Sequence, residues 1–301
     1  MATAIRFQSV TKRFRGGTLA LDGATWEIED GSRACLLGPN GAGKSTSIRL
    51  LQAALAPTAG EVTLLDAIVG GRGYAAARRR CGIVPQQPGM YKDLKAGEYL
   101  RLTARLYGRE LAGDIVEAFG LTPHLDKRMA QLSGGLQRRL VLAAALVGAP
   151  EVLLLDEPTV GLDPVAARDV HEFLREYMQG RTTLLCTHNL QEAQELCDEV
   201  VILREGRVVV QGDLEQLRRR GRPRLRLTAR QGPKAIAAHL DGVPSMVEGD
   251  GRHLVVEVDS PEADAPRLLR ALLGAGIDVT SCEPVEATLT DVFLEAVEES
   301  A

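Results

Sequence analysis

Residues 36–51, "LLGPNGAGKSTSIRLL", pass from an apolar run through a glycine-rich loop into a helical pattern. The stretch fits G-x-x-x-x-G-K-[ST], which directs backbone N–H groups and the positive end of a helix at phosphates. Lys44 would neutralise the β and γ oxygens, and the Ser45 hydroxyl would ligate Mg²⁺. The predicted nucleotide-binding residues of this loop are Gly38, Pro39, Asn40, Gly41, Ala42, Gly43, Lys44, Ser45 and Thr46. On its own, the motif predicts only that a nucleotide binds.

The composition is that of an ordinary soluble protein, with 301 residues, 45% hydrophobic and 25% charged residues, and a formal net charge of −4. The five cysteines form no CxxC pair and lie mostly in apolar runs, which predicts buried thiols in a reducing cytosol. The N-terminus lacks the apolar core of a signal peptide. The longest uncharged apolar stretch, residues 140–150, is shorter than the roughly 18 residues that a membrane helix needs. We therefore expect that the chain does not itself cross a membrane.

Short runs rich in Val, Leu and Ile alternate with helical patterns over most of the chain. Continuously apolar strands separated by helices indicate an α/β fold with a mostly parallel sheet. The composition changes at residues 215–226, where arginines cluster. Beyond that point the pattern reads βαββαβ with one extra helix, the order of a small ferredoxin-like α+β domain. We therefore predict a first domain over residues 1–217, an Arg-rich linker over 218–224 and an accessory domain over 225–301.

Two acidic residues, Asp156 and Glu157, end the apolar run "EVLLLDEP". Asp156 is placed to hold hydrated Mg²⁺, and Glu157 is placed to polarise an attacking water. An isolated acidic pair at a strand end could instead cap a helix. Because this pair follows a phosphate-binding loop, we favour a role in hydrolysis.

A second glycine-rich helix start occurs in residues 131–146, "QLSGGLQRRLVLAAAL". Ser133, Gly134 and Gly135 offer a compact set of donors at a helix N-terminus, as the first loop does. With this stretch the sequence resembles the ATP-binding cassette (ABC) family, whose LSGGQ-like signature reads "LSGGLQ" here. The resemblance covers nearly the whole chain. It implies a P-loop NTPase with a mostly parallel core sheet, an antiparallel β subdomain and a helical subdomain at about residues 88–150.

The resemblance assigns roles to further residues. Phe14 resembles the aromatic that stacks on adenine, Gln86 in "IVPQQ" the Q-loop glutamine, and His188 in "CTHNL" the switch histidine, while Asp163 in "GLDP" resembles the D-loop residue. The implied catalytic residues are Glu157, His188, Gln86 and Lys44; the implied Mg²⁺ ligands are Ser45, Gln86 and Asp156; and the further nucleotide contacts are Phe14, Ser133, Gly134, Gly135, Gln137 and Asp163.

Plainer interpretations stay open for four of these assignments. Phe14 could be a core or surface aromatic, and Gln87 could take the place of Gln86. His188 could be an ordinary histidine at a strand end. Asp163 could cap the helix that follows it, a role compatible with the D-loop role.

The resemblance also implies partners. In the family, the signature of one subunit closes over the P-loop nucleotide of another, so two ATP molecules lie at a dimer interface. This chain holds one copy of each motif, so we expect a second nucleotide-binding domain, most simply a second copy. Residues 88–108, "PGMYKDLKAGEYLRLTARLYG", resemble the surface that receives a separate integral membrane permease. The chain would then lie at the cytoplasmic face of the cell membrane.

The C-terminal stretch "VEATLTDVFLEAV", residues 285–297, resembles the end of export ATPases of the daunorubicin-resistance type. Leu289, Val292, Phe293 and Val297 have helical spacing, so the stretch could also serve only to pack the small domain. The resemblance implies a subunit that binds and hydrolyses ATP to energise a membrane exporter, with a drug, lipid or polysaccharide chosen by the permease. The alternative is a soluble ABC ATPase that acts on a non-membrane partner.

Arginines cluster at residues 78–80 and again at residues 218–226. With a net charge of −4, a solvated face is the default interpretation, and contact with lipid headgroups comes next. The clusters lack interleaved aromatic residues, so we expect no nucleic-acid partner.

Overall fold

A computed structural model of the protein describes residues 2–87, 89, 91, 93–220, 223–240, 245–247, 251–285 and 288–298. By its internal contacts the chain divides into two compact units, one up to Leu214 and one from Glu215 onward. No helix within the described residues combines the length and the apolar character that crossing a membrane requires.

The larger unit contains two β-sheets and the helices around them. Its strands are β1 (Thr3–Arg13), β2 (Leu19–Glu29), β3 (Arg33–Leu37), β4 (Ala59–Leu64), β5 (Ala67–Ile68), β6 (Cys81–Val84), β7 (Val152–Asp156), β8 (Thr182–Thr187), β9 (Glu199–Arg204) and β10 (Arg207–Asp213). Its α-helices are α1 (Lys44–Leu51), α2 (Tyr74–Arg79), α3 (Ala96–Leu106), α4 (Gly113–Ala118), α5 (Gly134–Leu146), α6 (Pro164–Tyr177) and α7 (Leu190–Leu196). Single turns of 3₁₀-helix occur at Thr122–His124 and Met129–Gln131.

The central sheet has six strands in the order β10-β9-β3-β8-β7-β6. The pairs from β9 to β6 are parallel, and β10 forms an antiparallel edge with β9. Every residue of β7 and β8 is buried, as their continuous apolar runs predict for a sheet covered on both faces. Because parallel strands end at the same edge, the loops after β3, β6, β7 and β8 meet there. The predicted α/β fold class is confirmed.

A second sheet, with the antiparallel order β2-β1-β4-β5, shares its hydrophobic core with the central sheet. The rings of Phe7 and Trp26 stack in this core with their centroids 4.1 Å apart. The turn between β9 and β10 packs closely against β2. Gly206 in this turn has a φ of 81°, and a Cβ there would lie 2.8 Å from the Cα of Leu21. Only glycine therefore fits this approach.

The smaller unit begins with helix α8 and carries a four-stranded sheet. Its elements are α8 (Leu214–Arg220), β11 (Arg224–Ala229), α9 (Pro233–Ala237), β12 (Ser245–Val247), β13 (Leu254–Glu257), α10 (Pro261–Gly274), β14 (Val279–Val285) and α11 (Leu289–Glu298). The sheet is antiparallel, in the order β12-β13-β11-β14. Leu225 and Leu227 of β11 pack with Ile236 of α9 and Leu272 of α10. The element order is the predicted ferredoxin-like βαββαβ, followed by one helix.

The structure differs from the predicted linker over residues 218–224. Helix α8 occupies the first part of this segment, Arg224 already belongs to β11, and residues 221–222 lie outside the described part of the chain. Arg224 is buried rather than solvated, because its guanidinium pairs with the carboxylates of Glu257 and Asp291. Charge clustering alone could not separate this structural arginine from its neighbours.

The C-terminal stretch, residues 285–297, is helical from Leu289. Leu289 and Val292 are buried, which agrees with a packing role in the small unit. Residues 286–287 and the side chain of Val297 lie outside the described part.

The cysteines are free thiols, as predicted. Cys35, Cys81, Cys186 and Cys197 are buried, and Cys282 is half-buried. Burial raises the pKa of the Cys81 thiol to about 12, so this thiol stays protonated at neutral pH.

Candidate functional site

The glycine-rich loop between β3 and α1 forms one wall of an open cavity of about 370 Å³, called here the first cavity. Gly43 caps α1 with a φ of 112°, and a Cβ there would lie 2.6 Å from the carbonyl oxygen of Ala20. Lys44 begins α1, and its Nζ donates to the carbonyl oxygens of Gly38 at 2.6 Å and Pro39 at 3.2 Å. The lining residues are Thr18, Leu19, Ala20, Asn40, Gly41, Gly43, Lys44, Ser45, Thr46, Gln86 and Glu157.

Asp156 lies at the end of β7, beside the first cavity. The Ser45 hydroxyl donates to its Oδ1 at 3.1 Å. Burial raises the pKa of Asp156, and the hydrogen bond from Ser45 opposes that shift in part. The hydroxyl and the carboxylate are hard oxygen donors of the kind that Mg²⁺ prefers. The described residues hold no group of three or more His, Cys, Asp or Glu side chains fit to bind a metal.

Glu157 lines the first cavity and is paired with His188. The Nδ1 of His188 lies 2.9 and 2.8 Å from the two carboxylate oxygens of Glu157. Glu157 has a φ of 48°, a strained conformation that costs on the order of 1–3 kcal/mol. Its N–H donates to the carbonyl oxygen of Cys186 on β8 at 2.8 Å, which helps to hold it there. Gln86, rather than Gln87, is the glutamine that lines the cavity.

Phe14 lies in the loop between β1 and β2 and is not among the residues that line the first cavity. It is half-buried, with the Nζ of Lys12 5.4 Å from its ring centroid. Its N–H donates to the carbonyl oxygen of Thr18, which lines the cavity together with Leu19 and Ala20. Thr18, Leu19 and Ala20 are not predicted by the sequence, because neither their types nor their spacing form a motif.

Arg138 is a further residue of the site that no motif predicts. It is buried in α5, and its guanidinium donates to the carbonyl oxygens of Pro85 at 2.8 Å, Glu157 at 2.7 Å and Asp156 at 3.3 Å, and to that of Pro158. Burial lowers its pKa to about 10, which leaves it charged at neutral pH. One side chain thus ties α5 to the end of β7 and to the loop after β6. An arginine within an apolar helix was the available signal, since a buried guanidinium needs acceptors.

A second open cavity, of about 570 Å³, lies at the start of α5 and shares no lining residue with the first. Ser133 caps α5, and Asp163 caps α6 by accepting from the N–H groups of Val165 and Ala166, each at 3.0 Å. The lining residues are Ser133, Gly134, Gly135, Leu136, Arg139, Gly161, Leu162, Asp163, Val165, Ala166 and Asp169. Within one chain, the two predicted phosphate-binding surfaces are therefore separate.

Gln137, also predicted to contact nucleotide, is not among the residues that line either cavity. Its side-chain amide donates to the carbonyl oxygens of Met129 at 3.1 Å and Leu132 at 3.0 Å. The amide is thus used to hold the turn before α5, and Leu136 takes the place beside the glycines.

The fold and the first cavity define a P-loop NTPase. A strand, a glycine-rich loop and a helix border this cavity, and the hydroxyl of Ser45 and the carboxylate of Asp156 lie next to each other beside it. The Glu157–His188 pair places a carboxylate where a water can be oriented.

Comparison with known sequences gives the family. Residues 21–160 match the family model for "ABC transporter", and residues 212–297 match that for "ATP-binding protein DrrA1-3-like, C-terminal domain". The Nod factor export ATP-binding protein I of Burkholderia pseudomallei (strain 1710b) is 36% identical over 281 residues, covering 88% of this chain and 89% of that protein. The daunorubicin resistance ATP-binding protein DrrA3 of Streptomyces coeruleorubidus is 36% identical over 304 residues, covering 97% and 95%.

Solved structures agree with this assignment. The dimeric ATP-binding cassette MJ0796, solved in a post-hydrolysis state bound to ADP and Pi, has a TM-score of 0.64 and 26% identity, covering 70% of this chain and 98% of its own. An ATP binding subunit of an ABC transporter has a TM-score of 0.65 and 30% identity, covering 72% and 92%. The chain belongs to the ATP-binding proteins of ABC transporters and is an ABC ATPase related to exporter subunits. The resemblance found in the sequence is confirmed.

Proposed function

We propose that this chain hydrolyses ATP to energise a membrane exporter, and that it works as one of two nucleotide-binding domains. The separation of the first and second cavities carries the proposal, because they share no lining residue. A nucleotide in the first cavity meets Ser133, Gly134 and Gly135 only if another domain brings them there. A two-fold symmetric pair would complete two sites at once. The related cassette bound to ADP and Pi is itself dimeric.

Different residues in and near the first cavity would bind the phosphates, the Mg²⁺ ion and the adenine of ATP. Lys44 and the N-terminus of α1 would neutralise the β- and γ-phosphates, once Lys44 exchanges its carbonyl partners for phosphate oxygens. Bound to Ser45, Asp156 and Gln86, Mg²⁺ would supply positive charge to the phosphate oxygens. Phe14 lies in the loop that precedes the cavity wall and would stack on the adenine.

Hydrolysis would depend on Glu157 and His188. The buried carboxylate of Glu157 would orient the attacking water and accept its proton. His188 holds both oxygens of that carboxylate, and its side chain is 54% exposed, so it can also approach a bound γ-phosphate. Loss of the γ-phosphate would remove the contacts that hold two domains together, so binding and hydrolysis would alternate between two arrangements.

The two-domain arrangement is tested with two inactive variants that complement each other. Lys44→Ala removes the charge in the first cavity, and Gly134→Asp puts a carboxylate into the second, where no atom lies within 4 Å of a Cβ at Gly134. Each variant alone should show at most about 1% of wild-type ATPase activity. An equimolar mixture should recover to about a quarter, since about half of the dimers then hold one intact site.

The control mixture combines Lys44→Ala with Glu157→Gln. Both changes damage the first cavity, so every dimer in this mixture lacks an intact site and activity should stay low. Absence of recovery in the Lys44→Ala and Gly134→Asp mixture, with ATP binding by Gly134→Asp intact, would contradict the shared site between two copies of this chain.

A separate membrane subunit is expected to bind at helix α3. Leu102 and Leu106 are 44% and 73% exposed and lie one helical turn apart. Grouped apolar side chains on an exposed helix are typical of a protein contact. They fall within residues 88–108, the segment that resembles the permease-binding surface, and would place the chain at the cytoplasmic face of the membrane.

The contact is tested by purification from detergent extracts. The double variant Leu102→Asp, Leu106→Asp should lose a co-purifying membrane protein that the wild-type chain retains. Ile68→Asp is the matched control, because Ile68 is an apolar residue on β5 with 49% exposure. Recovery of ribosomes, or of no partner, with the wild-type chain would favour a non-membrane partner instead.

The transported substrate would be set by the membrane subunit. Two relatives with the same 36% identity are named for Nod factor export and for daunorubicin resistance, so similar ATP-binding proteins are named for different compounds. A drug, a lipid or a polysaccharide is therefore compatible with this chain. We expect no nucleic-acid partner.

A further inference from the structure

A polar cluster around the buried carboxylate of Glu192 joins three segments of the larger unit and is not used by the chemistry proposed above. The Oγ1 of Thr159 donates to the Oε1 of Glu192 at 2.9 Å, and the Nε2 of His171 lies 3.1 Å from the same oxygen. Glu192 is 1% exposed, and the side chain of His171 is 13% exposed. We refer to Thr159, His171 and Glu192 as the Glu192 cluster.

Each member of the Glu192 cluster is close in sequence to a functional segment. Thr159 follows Glu157 by two residues. His171 lies on α6, which begins directly after Asp163 at the second cavity. Glu192 lies in the first turn of α7, which begins directly after His188 and its neighbour, the N-cap residue. The cluster therefore connects the segments that carry the proposed water-orienting carboxylate, the second cavity and the switch histidine.

The electrostatics make the Glu192 cluster sensitive to the charge of His171. The Oε2 of Glu192 is buried without a hydrogen-bond partner among the described residues, and a buried carboxylate needs a countercharge. His171 is faced by Glu192 and Glu195 of α7. Arg175 of α6 lies 3.5 Å from Glu195, and the guanidinium of Arg138 interacts electrostatically with Glu192. The hydrogen bond with Glu192 raises the pKa of His171.

Because the fold raises the pKa of His171, its protonated form stabilises the folded protein. A histidine whose pKa is raised in the fold contributes stability that is fully present below its ordinary pKa of about 6.5. The contribution is lost as the pH rises through the raised pKa, because neutral His171 no longer balances Glu192. The contact between α6 and α7 should therefore weaken as the pH rises through the raised pKa of His171.

We propose that Glu192 is a positioning residue that, through Thr159 and protonated His171, holds the segments of Glu157, Asp163 and His188 in one arrangement, and that ATP turnover therefore depends on the protonation of His171. The inference rests on the proposed roles of Glu157 and His188. To those roles it adds a pH-dependent connection between the first and the second cavity.

The test measures steady-state Mg-ATP hydrolysis by the full chain from about pH 6 to about pH 9, the range in which a histidine changes charge. Glu192→Gln should lower kcat about tenfold and leave the KM for ATP within about twofold, as expected for a residue that acts through others. Retention of the wild-type kcat and pH profile by Glu192→Gln would overturn the proposal.

Two substitutions of His171 separate positioning from simple packing. His171→Lys keeps the positive charge at high pH, so its activity should persist above the point where the wild type declines. His171→Gln never carries the charge, so it should be several-fold below wild type at about pH 6 and converge with it at about pH 9. The control His239→Gln removes an exposed histidine of the smaller unit and should leave the profile unchanged.

Equal losses by both His171 variants at every pH would show a packing role and overturn the proposal. If His171→Lys does not fold, His171→Gln alone is sufficient for the test. Its ATPase activity must converge with that of the wild type at about pH 9 if the proposal holds. Glu157→Gln, assayed in parallel, distinguishes a failure of the Glu192 cluster's role from a failure of the proposed role of Glu157. If it abolishes turnover while the Glu192 and His171 variants behave as wild type, only the present inference fails; if it turns over normally, the proposed catalytic role of Glu157 fails.

Discussion

Lys44 and Glu157 of the larger unit are buried charges that face a cavity, whereas Arg224 and Asp291 of the smaller unit are buried against each other. Lys44 and Glu157 are each 6% exposed and line the first cavity, and Asp156 lies beside it. Arg224 and Asp291 are each 7% exposed and form an ion pair within the smaller unit. A buried charge that lines a cavity reduces stability but is accessible to a ligand, while a charge paired inside the fold serves the structure. The same residue types thus form a binding site in one unit and a structural contact in the other.

The largest effect should follow from removing the charge of Glu157. Glu157→Gln keeps the size of the side chain but cannot accept a proton from water. The kcat for ATP hydrolysis should fall by about 10²–10⁴-fold, while ATP binding, measured by equilibrium titration, persists. A variant that turns over near the wild-type rate would show that this buried carboxylate is not the one that acts on water.

Arg138 is a buried charge of the larger unit that stabilises the fold instead of facing a cavity, so its removal should lower the free energy of unfolding. Arg138→Met leaves carbonyl oxygens of the loops after β6 and β7 without their donor, and the free energy of unfolding should fall by about 3 kcal/mol. Denaturant titration measures the change. The control Arg168→Met breaks only an exposed pair with Glu172 at 3.8 Å and should change stability by less than about 0.5 kcal/mol. Equal effects would mean that the carbonyl contacts of Arg138 do not stabilise the fold.

Neutralising Asp156 should increase the stability of the folded protein, whereas neutralising Asp291 should decrease it. Burial raises the pKa of Asp156, so its ionised form costs stability above the ordinary pKa of about 3.9, and the cost shrinks as the pH falls. Burial also opposes ionisation of Asp291, but hydrogen bonds from Thr288 and Arg224 outweigh it and lower the pKa. The ionised form of Asp291 therefore adds stability above about pH 3.9, which is lost as the pH falls through the lowered pKa.

Calorimetry of the nucleotide-free protein at about pH 7 tests this contrast. Asp156→Asn should raise the unfolding temperature of the larger unit by a few degrees, corresponding to about 1 kcal/mol. Asp291→Asn should lower that of the smaller unit by a similar or larger amount, because Arg224 loses a buried partner. A destabilised Asp156→Asn protein would show that Asp156 is held as firmly as Asp291, and that the two units do not differ in this respect.

Functional residues that are contiguous in the sequence could be predicted from the local sequence pattern alone. The loop from Gly38 to Thr46 contains all of the glycines, the lysine and the hydroxyl groups of its motif. Its conformation is set by steric contacts of its backbone, both within the loop and with neighbouring strands. The run "LSGGLQ" likewise predicts a helix start, which Ser133 caps. The βαββαβ order of the smaller unit follows from apolar periodicity in the same way.

The sequence by itself determined the α/β class, the motifs at the strand ends and the family of ATPases to which they belong. Only the tertiary structure decided which residues surround those motifs: Thr18 in the wall of the first cavity, Arg138 beneath Glu157, and Glu192 between two helices. It also decided that the amide of Gln137 is used within the chain and that one predicted linker arginine is buried. The physical reason is that motifs depend on neighbours along the chain, whereas burial, ion pairing and hydrogen bonding depend on distances between segments that only the packed sheets bring together.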